Sequence, residues 1–312
     1  LVYISRYKKP LVIRNPTDPR GFLITRLHCT RASQFTIINL LIDKGAEVDY
    51  FNDRSAAALI VAARFRANLE IVTLLLDRGS DINLIDDRYG TALSAAAYMG
   101  RLDIVTLLLD RGADINITGG QYGTALEAAA YGCEPEIITL LLDRGANINL
   151  IGGKYGTALG AAAWQGSLDI VTLLLDRGAD INLTGDYGTA LGAAAFGRKP
   201  KIIKLLLDRG ADINLTGGDY GTALSAAACM GRLHSVTLLL DRGADINLTG
   251  GKYGTALGAA AFGRKPKIIK LLLDRGAHVN LTGGDYGAAL GAAPYMGYLD
   301  IVILLLDQDA EW

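Results

Sequence analysis

Apolar residues in this chain come in two short clusters that return together every 33 residues. One copy reads Tyr155-Gly-Thr-Ala-Leu-Gly-Ala-Ala-Ala-Trp164, then Ile170-Val-Thr-Leu-Leu-Leu175, then a polar stretch to Asp186. The second cluster has the wide apolar face of an amphipathic helix. The first is a run of small residues, suited to a short helix that packs closely on others. Thr157 stands where its hydroxyl can accept from a free N–H of the first turn, and Gly166 ends that helix. Asp169 puts a carboxylate at the positive end of the second helix. Asp176-Arg177-Gly178 closes it with a cation and a residue suited to the left-handed C′ position. Ala179 to Gly185 is turn-rich. The predicted unit is helix, turn, helix, projecting loop. Neither helix is long enough to hold alone in water, so each unit needs its neighbours.

Tyr-Gly-(Thr/Ala)-Ala-Leu begins at Tyr89, Tyr122, Tyr155, Tyr187, Tyr220, Tyr253 and Tyr286, with one spacing of 32 between Tyr155 and Tyr187. A fixed period of this size is the signature of a solenoid. The two helices and the ending Leu-Leu-Leu-Asp-Arg-Gly-Ala-Asp-Ile-Asn182 resemble the ankyrin repeat. That family opens its first helix with Thr-Pro-Leu-His. Here Thr and Leu remain, Ala replaces Pro, and Gly, Ser or Glu replaces His. Thr25-Arg-Leu-His28 comes nearest to the usual form. The Tyr-Gly-Thr-Ala-Leu variant with its Gly-Gly finger resembles arrays of fungal NACHT-type receptors.

The resemblance implies an all-α ankyrin-repeat solenoid of about nine repeats. They fall near residues 22–55, 56–88, 89–121, 122–154, 155–186, 187–219, 220–252, 253–285 and 286–312. Repeat two has lost the Tyr-Gly, and repeat nine ends Asp307-Gln-Asp309 in place of Asp-Arg-Gly. Residues 1–21 differ: Arg6, Lys8, Lys9, Arg14 and Arg20 face one acid, Asp18, and Pro10, Pro16 and Pro19 argue against a continuous helix. That stretch reads as a basic linker or the end of an upstream domain; the alternative is a basic peptide that contacts a partner. A second period also runs through the array. Pro135, Pro200 and Pro266 alternate with Leu102, Leu168, Leu233 and Leu299 at the predicted first position of the second helix, where Pro is tolerated. Growth by duplication of two-repeat blocks explains this.

Half the residues are hydrophobic, 20% are charged and the net charge is −1, so no global pull toward nucleic acid or an anionic membrane is expected. Cys29, Cys133 and Cys229 lack CxxC spacing, which suits a reducing compartment; the expected location is intracellular and cytoplasmic. No signal peptide or long apolar run is evident. A first residue of Leu and a last repeat ending after its second helix read as a piece of a longer protein. His28, His234 and His278 have no ligand spacing, so no metal is expected. Gly152-Gly-Lys-Tyr-Gly-Thr157 fails the phosphate-loop pattern, which ends Gly-Lys-Ser/Thr after a strand. No catalytic residue and no cofactor are expected. The Asp-Arg pair recurs in the repeats and reads as helix-end chemistry.

In the resembling family the loops and first helices line a concave side, so function lies in residues that vary between copies there. The residue before each Tyr reads Arg88, Gln121, Lys154, Asp186, Asp219, Lys252, Asp285. The residue near each first-helix end reads Phe65, Tyr98, Tyr131, Trp164, Phe196, Cys229, Phe262, Tyr295, a position that matches a family contact position. These aromatics read either as a ladder supporting adjacent repeats or as a groove for a protein or peptide. A basic patch is a further candidate: Arg198, Lys199, Lys201 and Lys204 in repeat six, and Arg264, Lys265, Lys267 and Lys270 in repeat eight. A cation at a helix N-terminus is unfavourable, which suggests an acidic protein surface docking there; the competing reading is a duplicated, solvent-screened block. The expected role is a protein-binding scaffold. The alternative is a passive structural spacer.

Overall fold

The computed structural model describes residues 11–13, 22–24, 39–40, 43, 58–64, 69–295 and 297–307. The chain forms two compact units, Leu1–Asn147 and Ile148–Trp312.

The first unit opens with strands β1 (Leu11–Ile13) and β2 (Phe22–Ile24), paired antiparallel with Val12 opposite Leu23. This pairing crosses the boundary drawn from sequence at residues 21 and 22. The prolines nearby exclude only a helix. Asn39, Leu40 and Asp43 are helical, within the second helix expected for repeat one. Beyond these residues and 22–24, that repeat, including His28 and Cys29, lies outside the described residues, as does Phe65. Three helix pairs follow: α1 (Ala58–Arg64) with α2 (Leu69–Asp77), α3 (Ala92–Tyr98) with α4 (Leu102–Asp110), and α5 (Ala125–Gly132) with α6 (Pro135–Asp143).

The second unit contains five pairs: α7 (Ala158–Gln165) and α8 (Leu168–Asp176), α9 (Ala190–Phe196) and α10 (Pro200–Asp208), α11 (Ala223–Cys229) and α12 (Leu233–Asp241), α13 (Ala256–Phe262) and α14 (Pro266–Asp274), α15 (Ala289–Tyr295) and α16 (Leu299–Leu306). Each unit is a stack of helix-turn-helix repeats, the all-α solenoid architecture.

Local chemistry sets the boundaries. Thr91, Thr124, Thr157, Thr189, Thr222 and Thr255 are extended N-caps whose hydroxyls accept an N–H three residues on at 3.0–3.1 Å. Pro135, Pro200 and Pro266 each occupy the first helical position, where the missing N–H costs no bond. At the other end Gly178 adopts φ 88, its N–H donates to Leu175 O and that of Ala179 to Leu174 O, both at 3.0 Å. This is a complete Schellman closure.

The core is built from unequal halves. Ala161, Ala162 and Ala163 have no exposed surface, and in the paired helix neither do Val171 and Leu174. Small side chains bring successive first helices close. A Cβ added at Gly197 would stand 2.9 Å from the Trp164 carbonyl oxygen of the preceding repeat. The second helices supply the larger apolar groups, about 1.5–3 kcal/mol for each one fully buried.

Candidate functional site

From Tyr122 onward, each Tyr of the Tyr-Gly pairs meets an aromatic of the row that sequence assigned to the first-helix ends; the Tyr89 ring instead lies under Arg64, 4.1 Å from the centroid. In the first unit Tyr98 stacks on Tyr122 at 4.5 Å between ring centroids, and Tyr131 lies 5.3 Å from Tyr122. In the second, Trp164 contacts Tyr155 and Tyr187, both at 5.4 Å, and stacks on Phe196 at 4.6 Å. Phe196 in turn lies 5.0 Å from Tyr220, and Phe262 sits 4.6 Å from Tyr253 and 5.3 Å from Tyr286. The two rows therefore interleave into one double ladder within each unit. Tyr155 is buried, but Tyr98, Tyr131, Trp164, Phe196 and Phe262 keep part of their surface in water. The ladder and groove readings are not exclusive, because the rings support one another edge to edge and still present a surface. The side chain of Tyr295 lies outside the described residues. In repeat seven the row is filled by Cys229, which is 8% exposed and whose thiol burial pushes up to about 11.

The residues before each Tyr are all exposed: Arg88, Gln121, Lys154, Asp186, Asp219, Lys252 and Asp285. Their backbones are hydrogen-bonded from finger to finger. The Asp219 N–H donates to Asp186 O at 2.9 Å, Lys252 N–H to Asp219 O at 2.8 Å, and Asp285 N–H to Lys252 O at 2.8 Å. The side chains of the bonded fingers are thus fixed at their roots. Three make contacts along the ladder: Lys252 Nζ reaches Asp219 Oδ1 at 3.0 Å, Lys154 Nζ stands 5.4 Å from the Tyr187 ring, and Arg88 Cζ stands 5.3 Å from the Tyr89 ring. The Asp219 carboxylate, hydrogen-bonded to it, holds the Lys252 ammonium above its usual range.

Two further ladders tie repeat to repeat, and both were illegible as such in the sequence. Arg111 Nη1 donates to Asp77 at 2.9 Å, Arg144 to Asp110 at 2.9 Å, Arg209 to Asp176 at 2.9 Å, Arg242 to Asp208 at 3.0 Å and Arg275 to Asp241 at 3.1 Å. The Asp-Arg pair is not confined to its own helix end: each Arg crosses to the preceding repeat. These pairs are exposed and individually worth no more than about 1 kcal/mol. The Asn of Asp-Ile-Asn does the same for the loops. The Asp212 N–H donates to Asn182 Oδ1 at 2.9 Å, and the Asp245 N–H to Asn214 Oδ1 at 2.8 Å. The available signal was a fixed period carrying complementary partners.

The family description "Ankyrin repeats" matches residues 27–119, 119–185 and 159–250. The chain belongs to the ankyrin-repeat family. No curated protein matches it. Ankyrin repeats are generally protein-interaction modules.

In this ankyrin array Arg198, Lys199, Arg264 and Lys265 lie at the turn between the paired helices, whereas Lys201 and Lys267 stand in the first turn, and Lys204 and Lys270 in the middle, of α10 and α14. The stems of Lys199 and Lys265 pack on the preceding repeat, while no acid stands in the first turn of either helix to offset their charge. A Cβ added at Gly166 would stand 2.8 Å from Lys199 Cε, and one at Gly231 would stand 3.1 Å from Lys265 Cε. The lysine stems cover the glycine turn of the preceding repeat. Among the described residues no group of three or more His, Cys, Asp or Glu could hold a metal ion. No described helix is long and apolar enough to cross a membrane.

The ladder makes the ankyrin stack sensitive to alkali. Burial holds the Tyr253 hydroxyl up at about 12 against an ordinary 10.0, and raises Tyr220 and Tyr122 as well. In the unfolded chain these groups ionise near 10, while in the folded chain they stay neutral. Stability is therefore fully present below pH 10 and falls as pH rises toward 12. Urea midpoints measured at intervals from pH 9 to 11.5 should fall, with a shallower slope in Tyr253→Phe. Equal slopes in the two proteins would remove the ladder from the account.

Proposed function

We propose that this array is a protein-interaction scaffold whose contact surface for a protein or peptide is the aromatic double ladder together with the exposed finger residues. The observation that carries the reading is the half-exposed stack of Trp164 on Phe196, at 4.6 Å, between neighbouring Tyr rings. Rigid aromatics that are partly wet in the free protein have apolar surface left to bury in a complex, and such residues dominate interface energetics. The flanking finger positions carry different charges from repeat to repeat on a fixed backbone, which gives a partner something to read. A spacer needs only the Asp–Arg and Asn ladders, and this variation at exposed fingers favours binding over that role. The proposed module acts inside the cell, without a reaction or cofactor of its own. Its near-neutral charge favours protein over nucleic acid as partner.

Selection of peptides from a displayed random library against the intact chain tests this. Trp164→Ala should weaken the selected peptides by about 2 kcal/mol or more, roughly 30-fold, while the circular dichroism stays helical. Peptides that bind Trp164→Ala and Phe196→Ala as tightly as the parent would end the ladder's claim to be the contact surface.

A further inference from the structure

The second helices of the Ile148–Trp312 unit do not all begin alike. α8 and α16 carry Asp169 and Asp300 in their first turns, whereas α10, α12 and α14 carry no acid there. Lys199 and Lys201, Arg232 and His234, and Lys265 and Lys267 flank the first residues of those three helices, with Arg198 and Arg264 just ahead. The two clusters visible in sequence are thus joined through repeat seven. Arg232 is held between them, its Nε donating to the Phe196 carbonyl at 3.2 Å. Block duplication accounts for the likeness of repeats six and eight. It does not account for repeat seven, where His234 stands in place of the Asp103 of repeat three.

An apolar row runs through these basic residues. Pro200, Leu233 and Pro266 occupy the first helical positions, and Leu233 is 49% exposed. Between Arg198, Pro200, Arg232, Leu233 and His234 opens a cleft of about 550 Å³. Only Arg264 has an acidic partner, Asp300 at 3.2 Å at the end of the band; among the described residues no ion pair engages Arg198, Lys199, Lys201, Lys265 or Lys267. The fold does not ask for these charges, because cations oppose the helix dipole there. Arg198 and Arg264 also hold φ 62 and 53, a left-handed conformation for which repeats five and seven use Gly166 and Gly231.

The positive zone is narrow. The same helices end in Asp208, Asp241 and Asp274, about 13 Å away along nine residues. Its long axis spans three repeats, roughly 20–30 Å at about 10 Å for each helix layer. A single extended peptide of about eight to ten residues would meet the band alone. A polyproline-II strand rises about 3.1 Å per residue with three residues per turn, so every third side chain faces one way at about 9.3 Å, close to the layer spacing.

We propose that this band docks an extended acidic segment of a partner protein, with an aliphatic side chain at every third position over Pro200, Leu233 and Pro266 and carboxylates facing the flanking cations. This surface does not rest on the aromatic-ladder reading. The test uses the intact chain and a fluorescent peptide of four Glu-Glu-Leu triplets, followed by anisotropy. The peptide should bind the parent and Trp164→Ala alike, and weaken about 10-fold or more in Lys199→Glu/Lys265→Glu. Lys201→Glu/Lys267→Glu, which changes exposed side chains only, should weaken it similarly. Leu233→Ser, or Ser for Leu in the peptide, should weaken it about 5-fold, and raising salt should weaken it in the parent more than in the charge variants. Unchanged affinity in both double variants overturns the proposal. So does indifference to Leu233→Ser and to the Ser peptide, or capture by phosphatidylserine vesicles that the peptide does not compete.

Discussion

Leu206→Ala in α10 should cost about 2–5 kcal/mol, the range for emptying a closed core site of a leucine. Leu206 has no exposed surface and lies with Ile202 and Ile203 on the inward face of its helix. The helix packs against α9 of its own repeat and against α8 and α12 of the repeats on either side. The cavity therefore weakens two interfaces as well as one helix pair, and nearest-neighbour coupling spreads the loss to repeats five and seven. Leu205 and Leu207 are the same residue type one step away, but both keep contact with water. Leu205→Ala should cost about half as much, since fewer atoms lose an apolar environment. Urea unfolding of the three proteins, with amide exchange of α10 and its neighbours, checks the order. Equal midpoints for Leu205→Ala and Leu206→Ala would mean that the inward face is misassigned.

Gly188→Ala should cost about 2–5 kcal/mol without removing any apolar contact. Gly188 adopts φ 85, a conformation that costs an L-residue roughly 1–2 kcal/mol. A Cβ there would also stand 2.9 Å from the Gly217 carbonyl oxygen on the next finger, and forcing the two backbones apart adds about 1–3 kcal/mol. Gly178→Ala separates the two effects. It has nearly the same φ, 88, but nothing within 4 Å of the added atom, so only the conformational part applies. In Gly188→Ala the Asp219 N–H, which bonds Asp186 O at 2.9 Å, should lose exchange protection, and in Gly178→Ala it should keep it. Matching stability losses in the two variants would show that the fingers are not in backbone contact.

These contacts explain the Tyr-Gly and Gly-Gly signatures together. Gly254 of one finger faces Gly283 of the next, with the carbon of that peptide 2.6 Å from where a Cβ would lie. Sequence shows two glycine motifs at a fixed period. Their mutual contact appears only when the fingers stack, because the two residues are far apart in the chain and neither needs the other locally.

The sequence by itself determined the repeat, its helix limits and its caps. Those depend on forces acting within a few residues: a Thr hydroxyl reaching an N–H three positions on, a Pro that lacks an N–H where none is used, a Gly that turns left after the last Arg. It also determined which helical face is apolar, since Ile202, Ile203 and Leu206 follow the helical period. The tertiary structure alone decided what lies between repeats. Arg209 and Asp208 are chain neighbours that read as one pair, yet Arg209 bonds Asp176 and Asp208 bonds Arg242. Tyr187 and Phe196 read as members of separate rows, yet their rings meet at 5.8 Å. In each case several partners of the right type recur at the same period, and local chemistry cannot choose among them. The layer spacing and the direction of each side chain make that choice, and both are set by how closely the alanine-rich first helices pack.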